Sequence, residues 1–580
     1  MSHSKDTPDT SLANPPIEGA SKATGKRVSL LKISTLAIGL WFGASFSIGL
    51  YNWAQEERTR LLFIGLDGMC FYLAAQLTAI LTGFVAILYF RPSRRLLATI
   101  GGVLFVGYFG FSNLVRVDDY FGNRTPRYSW VWTPKVEDNI KTYLTSRKTK
   151  DHGIVAEDLF LPTETDFAEL LGKGRTARID HYSFPANWDE HPPQLLWRHP
   201  VGLGWSSFAV VGSVAVNLEQ RDDQECVVCY DVRNGSELWS HGETLRFNHE
   251  HGDGPRTTPS IHKGRVYSFG ATGVLTCVDL KTGNLIWKQS VFEDPVTQNL
   301  LFGMSGSPLV LNGMVIVTPG AGKGGSAIAY DTNTGSEIWR CGDDPASYSS
   351  PVAVNLCGVD QILSFNGAGL RSYSEHGQSL WLQPWVTQGD SRVNVAQPML
   401  LSSDQIDEST GSDSSGNPWA KVLISSGYDK GTALLKITRT DHQRTTDQRI
   451  TDQWTTDQWT TEVIWESKQL KSKLSNFVAY ENHAYGFDNG ILTCIDLKNG
   501  ERTWKRGRYG HGKMLLVQDK LLILAETGEV ILVRAAPDSH QELAKFEALS
   551  SKTWNNIALA GDIIVVRNDR EAAAFRLPLN

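Results

Sequence analysis

The sequence predicts an all-β fold, an eight-bladed β-propeller of four-stranded antiparallel blades, preceded by a membrane domain of three transmembrane helices. Two observations predict this arrangement. A short phrase with Asp, Gly and Trp at fixed spacing recurs four times between residues 231 and 504, and three long apolar segments lie before residue 120. A phrase this regular indicates a repeat architecture.

The repeated phrase is an apolar strand followed by Asp, by Gly four residues later and by Trp four residues after that. Its four full copies are Asp231-Gly235-Trp239, Asp279-Gly283-Trp287, Asp331-Gly335-Trp339 and Asp496-Gly500-Trp504. Each copy is typical of a β-hairpin, because Asp bonds the backbone two residues on and Gly supplies the positive φ of the turn. We expect each Trp to dock on the next sheet, since a lone hairpin cannot bury an indole.

Each repeat contains four predicted strands, as a propeller blade does. Two strand-like runs, 258–262 and 265–269, precede the second phrase, which supplies two more strands. Degenerate copies extend the count, and one of them carries Tyr373 where Asp is expected. These copies end at Trp381, Trp465 and Phe546.

The two ends of the repeat region are predicted to complete one blade together. Residues 195–197 resemble a final strand with no blade before it, and 562–566 and 572–575 resemble strands with no Trp after them. Joining the ends removes the free sheet edges. This gives eight blades; seven is the alternative, because degenerate copies are easily miscounted.

The apolar segments predict transmembrane helices at about 33–53, 68–90 and 96–115, each near the length that crosses a bilayer. Lys and Arg precede the first segment and separate the second from the third, which predicts a cytoplasmic N-terminus and a propeller on the outer side. The predicted location is the bacterial inner membrane, with the propeller in the periplasm or outside. A cleaved signal peptide is the alternative for the first segment.

The predicted domains are a disordered cytoplasmic tail rich in Ser, Thr, Pro and Lys, the membrane region, an extracytoplasmic linker, and the propeller with two insertions. In chain order the domains span 1–28, 29–116, 117–190 and 191–580, and the insertions lie at 404–418 and 440–462.

Composition excludes some functions. The 580 residues carry a net charge of −6, without basic runs beyond the membrane flanks, which excludes nucleic acid as a partner. Cys229, Cys277 and Cys494 occupy one position of the repeat, which predicts small core residues rather than disulfides. Cys226 and Cys229 share a strand, where their Cα atoms lie roughly 10 Å apart, beyond disulfide reach.

Two loops carry candidate ligand-binding residues, and both are predicted to open towards the propeller axis. The first contains His249, His251, Asp253 and Arg256. Two histidines with a nearby Asp can hold a metal, and Arg can clamp a carboxylate or phosphate. The alternative is a polar loop bonded to its own backbone, which we prefer because no second histidine cluster completes a ligand set. We therefore predict no metal ligands and no catalytic residues.

The second candidate loop contains Tyr428 and Lys430 between glycines. Glycine lets a ligand approach the backbone closely, with Tyr and Lys as polar contacts. A tight turn between two strands explains the same residues.

The phrase Asp-x-x-x-Gly-x-x-x-Trp after an apolar strand resembles the repeat of the PQQ-like (pyrroloquinoline-quinone) β-propeller family. The resemblance covers about residues 190–580. The stretch from Trp197 to Trp239, with 202–208 and 219–221, is most similar to the bacterial membrane-attached "PQQ-binding-like" branch. The family includes quinoprotein dehydrogenases and the lipoprotein propeller of the outer-membrane barrel-assembly machine.

The resemblance implies two competing functions. Quinoprotein dehydrogenases stack PQQ between a Trp and a disulfide of adjacent cysteines, and hold Ca²⁺ with Glu, Asn and Asp. This chain has no adjacent cysteines. We therefore expect a scaffold that binds a protein partner or ligand without catalysis. A PQQ- and Ca²⁺-dependent oxidoreductase is the alternative, and a ligand sensor coupled to the membrane helices is a third.

Overall fold

The fold is described from a computed structural model. It describes residues 93–121, 126–147, 156–180, 182–292, 299–320, 322, 324–387, 392–440 and 458–579. The chain divides into two compact units, Met1–Asn113 and Leu114–Asn580.

Helix α1, Arg94–Leu114, is the described part of the first unit and ends where the second unit begins. It coincides with the third predicted membrane segment. The predicted tail and the first two predicted membrane helices lie outside the described residues. Within the described ranges, no helix is long and apolar enough to cross a membrane.

The second unit contains eight four-stranded antiparallel blades, which confirms the predicted eight-bladed propeller. The inner strands of neighbouring blades contact one another around the axis. Blades 1 to 4, each from inner to outer strand, are Ala209–Val211, Val214–Arg221, Gln224–Asp231 and Glu237–Glu243; Ser260–His262, Arg265–Phe269, Val274–Asp279 and Leu285–Ser290; Leu309–Leu311, Met314–Val317, Ala327–Asp331 and Glu337–Cys341; and Val352–Leu356, Val359–Phe365, Gly369–Ser374 and Ser379–Pro384.

Blades 5 to 7 follow in the same order, and blade 8 joins the two ends of the repeat region. Their strands are Met399–Leu400, Pro418–Ser426, Gly431–Thr440 and Gln458–Ser467; Val478–Tyr480, His483–Asp488, Ile491–Asp496 and Arg502–Arg508; Lys513–Val517, Lys520–Leu524, Glu529–Arg534 and Glu542–Glu547; and Ala558–Ala560, Ile563–Arg567, Glu571–Arg576 and Gln194–Pro200. In blade 8, Ala574 pairs with Trp197, which confirms the predicted closure of the ring.

The phrase tryptophans join each blade to the next, as predicted. Trp287 of blade 2 is 7% exposed, and its Nε1 donates to the carbonyl of Thr332 in blade 3 at 3.0 Å. Its indole lies against Gly335 of blade 3, where a Cβ atom would come within 2.6 Å of the ring. The repeated Gly therefore serves two purposes, because it also adopts a φ of +71° in the turn. The same contact recurs at Gly235, Gly283, Gly377 and Gly500.

The phrase aspartates cap their turns. Asp331 Oδ1 accepts hydrogen bonds from the backbone N–H groups of Asn333 and Thr334, at 2.9 and 2.8 Å. In blade 4 the turn is one residue shorter, since the Gly377 N–H donates to the Ser374 carbonyl. Ser374, rather than Tyr373, takes the place of the Asp, and Tyr373 is a fully buried core residue.

The two predicted insertions both belong to blade 5. The described residues of 404–418 include the short strand Thr410–Ser412, which pairs with Pro418–Ser426, so this segment forms an ordered hairpin. Of the second insertion, 441–457 lies outside the described residues, and Thr440 pairs directly with Gln458.

Before the blades, the second unit begins with a hairpin of Val115–Tyr120 and Pro126–Trp130, followed by helix α2, Val136–Arg147. Two short 3-10 turns, Glu157–Phe160 and Lys173–Arg175, come next.

Residues 166–180, part of the predicted linker, run along the inside of the blade ring. Phe167 exchanges backbone hydrogen bonds with Val210 of blade 1, at 2.9 and 2.8 Å. Arg178–Ile179 adds a parallel strand to the inner strand of blade 7. The segment therefore contacts the inner strands of two blades that have only blade 8 between them, and it lies inside the ring.

Arg175 fixes this segment from within. It is 4% exposed, and its guanidinium pairs with Glu169 at 3.0 Å. It also donates to the carbonyls of Ser307 and Pro351, which precede the inner strands of blades 3 and 4. A buried cation needs such acceptors to offset the loss of water, so Arg175 locks the segment between these blades.

The cysteines conform to the predicted core role. All six that are described are free, and Cys226 and Cys229 lie on one strand but in different hydrophobic clusters. Burial raises the pKa of Cys226 to about 12, which keeps its thiol protonated and unreactive.

Candidate functional site

One face of the propeller gathers all the candidate residues. Because strands alternate in direction, the loops that lead from an outer strand to the next inner strand lie at the same end of the blades as the turns between second and third strands. We call this end the axial face. The Asp–Gly turns of the repeated phrase lie at the other end, the turn face.

The first candidate loop is bonded mainly to itself. Asp253 Oδ1 accepts from the His249 N–H at 2.9 Å, and Asp253 Oδ2 pairs with Arg246 at 3.1 Å. His249 Nδ1 accepts from the His251 N–H at 3.1 Å. Burial lowers the pKa of His249, and the nearby Arg256 acts in the same direction, so this imidazole is neutral at physiological pH.

Arg256 is committed to the same loop. Its guanidinium donates to the carbonyls of Gly252 and Gly254, at 2.8 and 2.6 Å, and lies 4.9 Å from the ring centroid of Phe247. Burial lowers the pKa of Arg256 to about 10. The side chain predicted to clamp an anion therefore holds its own loop in shape.

The second candidate loop divides between two environments. Lys430 pairs with Glu466 of blade 5 at 2.9 Å. The Nζ of Lys430 also lies 3.9 Å from the ring centroid of the buried Trp385, at the boundary between blades 4 and 5. Tyr428 has a φ of +52°, and the Nζ of Lys473 lies 5.3 Å from the centroid of its ring. Tyr428 thus belongs with the loops around the axis, whereas Lys430 supports the sheet.

The axial loops bring nine side chains into one closed circuit, which we call the axial ring. Neighbours around the circuit touch or interact electrostatically, and the members come from six different loops and two turns. They are His251, Phe302, Tyr348, Tyr428, Lys473, His511, Glu526, Trp554 and Lys552.

One side of the ring is aromatic. The ring centroids of His251 and Phe302 lie 5.9 Å apart, and those of Phe302 and Tyr348 lie 5.7 Å apart, both in edge-on contact. Burial raises the pKa of Tyr348 to about 12, and the neighbouring Tyr428 contributes to the increase. This side offers uncharged aromatic edges to a ligand.

The other side is polar and strongly coupled. Glu526 accepts from Trp554 Nε1 at 2.8 Å and from the His511 N–H at 3.0 Å. Burial lowers the pKa of His511 to about 4, and Lys473 and Lys513 push it the same way. Burial likewise lowers the pKa of Lys513 to about 8, and this ammonium donates to the Leu474 carbonyl.

Lys552 connects the two sides and is fully buried. Its Nζ lies 4.8 and 4.4 Å from the ring centroids of Trp205 and Trp554, within cation–π range. It also pairs with Asp119 at 3.2 Å and donates to the Tyr120 carbonyl at 2.9 Å. Burial lowers the pKa of Lys552 and raises that of Asp119.

The structure places His249, His251, Arg256 and Tyr428, all named from the sequence, in loops of the axial face, and the sequence analysis did not name the other members of the ring. The position of each loop in the repeat could have identified them. The missed residues Phe302, Tyr348, Lys473, His511, Lys552 and Trp554 all lie in the loops before inner strands, as does the first candidate loop. Aligning these loops by their place in the repeat identifies them as neighbours.

The cofactors implied by the resemblance do not fit the arrangement described. Ca²⁺ takes about six to eight oxygen ligands, whereas Glu526 is the one carboxylate of the axial ring and both of its oxygens accept hydrogen bonds. Elsewhere in the described ranges, no three His, Cys, Asp or Glu side chains are grouped to hold a metal. The indoles of Trp205 and Trp554 are both occupied by the ammonium of Lys552. We therefore derive no catalytic step through PQQ.

Comparison with known proteins gives two kinds of relative. Residues 223–506 match the sequence family described as "PQQ_2: Outer membrane protein assembly factor BamB". Quinohemoprotein alcohol dehydrogenase ADH-IIG of Pseudomonas putida is 31% identical over 121 residues, which are 20% of this chain and 16% of that protein. Outer membrane protein assembly factor BamB of Xanthomonas campestris pv. campestris is 31% identical over 104 residues, which are 18% of this chain and 24% of that protein. The matched regions thus span a quarter or less of these relatives.

Solved structures of the same two kinds resemble the fold. BamB from Moraxella catarrhalis aligns over 66% of this chain and 100% of its own, at 13% identity and a TM-score of 0.45. Quinohemoprotein alcohol dehydrogenase from Comamonas testosteroni aligns over 72% of this chain and 82% of its own, at 12% identity and a TM-score of 0.46. The sequence match, together with the repeated phrase, confirms the predicted family: residues 223–506 belong to the PQQ-like repeat family of β-propellers.

Proposed function

We propose that this chain is a membrane-anchored extracytoplasmic propeller that binds a protein partner or ligand at its axial face without catalysis. The repeat family contains both proteins named as assembly factors and proteins named as alcohol dehydrogenases. The geometry of the axial ring supports the binding role over the redox role.

One observation carries this proposal: the ionisable side chains of the axial face are engaged by the chain itself. Glu526 is held by Trp554 and His511, and Lys552 by Asp119 and two indoles. A general base or nucleophile needs a polar atom directed at substrate. Groups bonded in this way rigidify a surface instead, which suits recognition.

The membrane anchor is supported by the apolar segments before residue 120 and by exposed side chains on α1. Val103, Phe105 and Val106 are 67%, 67% and 69% exposed, which is unusual for large apolar residues of a soluble helix. The Lys and Arg distribution supports a cytoplasmic N-terminus and a propeller in the periplasm or outside.

Site-directed photocrosslinking in intact cells tests the binding face. A crosslinking residue at Glu250, exposed on the axial face, should capture a discrete partner. The matched control is Thr334, exposed in an Asp–Gly turn of the turn face, and should capture none. Adducts from Thr334 with none from Glu250 would place the partner on the wrong face and contradict the proposal.

Reconstitution separates the redox alternative from the binding role. The full chain, purified in detergent and incubated with PQQ and Ca²⁺, should show no saturable dye reduction with alcohols or sugars. Saturable activity that requires both additions would overturn the non-catalytic role while leaving the membrane anchor untouched.

A further inference from the structure

In the hairpin of residues 115–130 the charged side chains face the protein and the apolar side chains face outward, which is the reverse of an ordinary surface hairpin. Its strands pair antiparallel, with Val117 opposite Tyr128 and Asp119 opposite Arg127. Successive side chains of a strand point to opposite faces, so the hairpin has one face with charged residues and one with apolar residues. The charged face is the one turned towards the propeller.

The charged face docks on blade 8. Arg127 pairs with Asp119 at 2.5 Å and with Asp569 at 2.9 Å, and Asp118 pairs with Arg570 at 3.3 Å. Asp119 is 6% exposed and also pairs with Lys552 of the axial ring. Ion pairs this well buried fix one geometry, so the hairpin is held rigidly on the axial face.

The apolar face is exposed. Tyr128, Trp130, Val131 and Trp132 are 53%, 52%, 51% and 65% exposed, and Val117 beside them is 47% exposed. The indoles of Trp130 and Trp132 stack with centroids 5.0 Å apart and planes 5° from parallel. We call these five residues the aromatic patch. Exposed apolar patches of this kind mark sites of interaction.

Continuity along the chain indicates what covers the aromatic patch. The hairpin begins at Val115, the residue after α1, and the Val131 N–H donates to the carbonyl of Leu114, the last residue of α1, at 2.9 Å. The patch thus directly follows a helix with exposed apolar side chains. Trp and Tyr concentrate where the apolar core of a bilayer meets its headgroups, because their rings are apolar with one polar group. The patch itself carries no charged side chain.

We propose that the aromatic patch lies in the headgroup region of a lipid bilayer and that the charged face of the hairpin turns the axial face of the propeller towards that bilayer. This inference rests on the proposed membrane anchor. It places any partner of the axial ring between the propeller and the membrane, and it assigns the hairpin a role in orientation.

Depth-resolved fluorescence on the full chain tests the proposal. Trp132→Cys carries an environment-sensitive fluorophore, and the protein is reconstituted into phosphatidylcholine vesicles that contain nitroxide lipid. The label should lose most of its emission to the nitroxide lipid and little to aqueous iodide, and high salt should not change this, since the patch is uncharged. The matched control is Lys498→Cys on the turn face, which iodide should quench and nitroxide lipid should not; the unsubstituted chain gives the background from native cysteines.

Two outcomes overturn the inference. Iodide quenching at residue 132 as strong as at residue 498 shows a water-exposed patch, and a label shielded from both quenchers shows that this chain itself, or a second copy of it, covers the patch in place of lipid. An alkaline carbonate wash of cell membranes keeps this result separate from the proposed anchor. Release of the chain contradicts the anchor itself, whereas a retained chain with a water-exposed label contradicts the placement of the hairpin alone.

Discussion

The two faces of the propeller are built on opposite rules. On the turn face every regular blade repeats the same contact, in which a glycine of one blade lies under the indole of the preceding blade, as Gly335 lies under Trp287. On the axial face six loops and two turns contribute varied side chains, from Phe302 to Lys552, and the contacts between neighbours differ around the ring. The repeated face maintains the ring, and the varied face can acquire a specific function. The difference shows why a repeat reveals a scaffold more readily than it reveals a site.

The largest test of this comparison is removal of one phrase tryptophan. Trp287→Ala should lower the free energy of unfolding by roughly 3–5 kcal/mol, because it leaves a cavity between blades 2 and 3 and an unmatched Thr332 carbonyl. Chemical denaturation measures the loss. Trp132→Ala is the control, since that indole is exposed and makes no blade contact, and it should change stability by less than about 0.5 kcal/mol. Equal losses of unfolding free energy in the two variants would show that the phrase tryptophans do not hold neighbouring blades together.

A second test separates the two purposes of the repeated glycine. Gly335→Ala places a methyl group at a φ of +71° and 2.6 Å from the Trp287 ring, and should cost about 2–4 kcal/mol from backbone strain and overpacking. Gly313→Ala has a similar φ of +81° but nothing within 4 Å, so it should cost only about 1–2 kcal/mol. Thermal and chemical unfolding of both variants gives the difference. If the two losses match, the indole contact contributes nothing.

The third test concerns protonation on the axial face. The pKa of His511 is about 4 in the folded chain, against about 6.5 when unfolded. The unfolded chain therefore binds the extra proton between pH 4 and 6.5, and folding stability rises with pH over that window by up to about 1.4 kcal/mol per pH unit. His511→Asn should flatten the slope, as measured by denaturation at several pH values. A slope that persists in His511→Asn assigns the titration to another group.

The fold was largely predictable because its determinants repeat. The spacing of Asp, Gly and Trp identified the hairpins, and the orphan strand at residues 195–197 identified the closure of the ring. The turn of blade 4 was misread because a deletion of one residue moved the cap from position 373 to Ser374. A fixed spacing cannot register a shorter turn, although Ser caps it by the same chemistry.

The rest depended on contacts that a sequence does not order in space. The carbonyls that accept from the Arg175 guanidinium lie 132 and 176 residues further along the chain, and nothing in the local sequence identifies them. Glu526 and His251 belong to one ring, although Glu526 lies in a turn of blade 7 and His251 in the loop before blade 2, and the two local sequences are not similar. The face of a loop follows from its place in the repeat, but how deep a side chain lies along the axis depends on packing across the channel.

In blade 8 the two ends of the repeat region depend on each other. The strand Gln194–Pro200 has a pairing partner in its sheet only when Glu571–Arg576 is present. During synthesis the first of these strands is made more than 350 residues before the second, so the ring stays open until Glu571–Arg576 has been made. A prematurely terminated product keeps unsatisfied strand edges and is open to aggregation and proteolysis. Synthesis of the strand Glu571–Arg576 is in this way coupled to the stability of the closed ring.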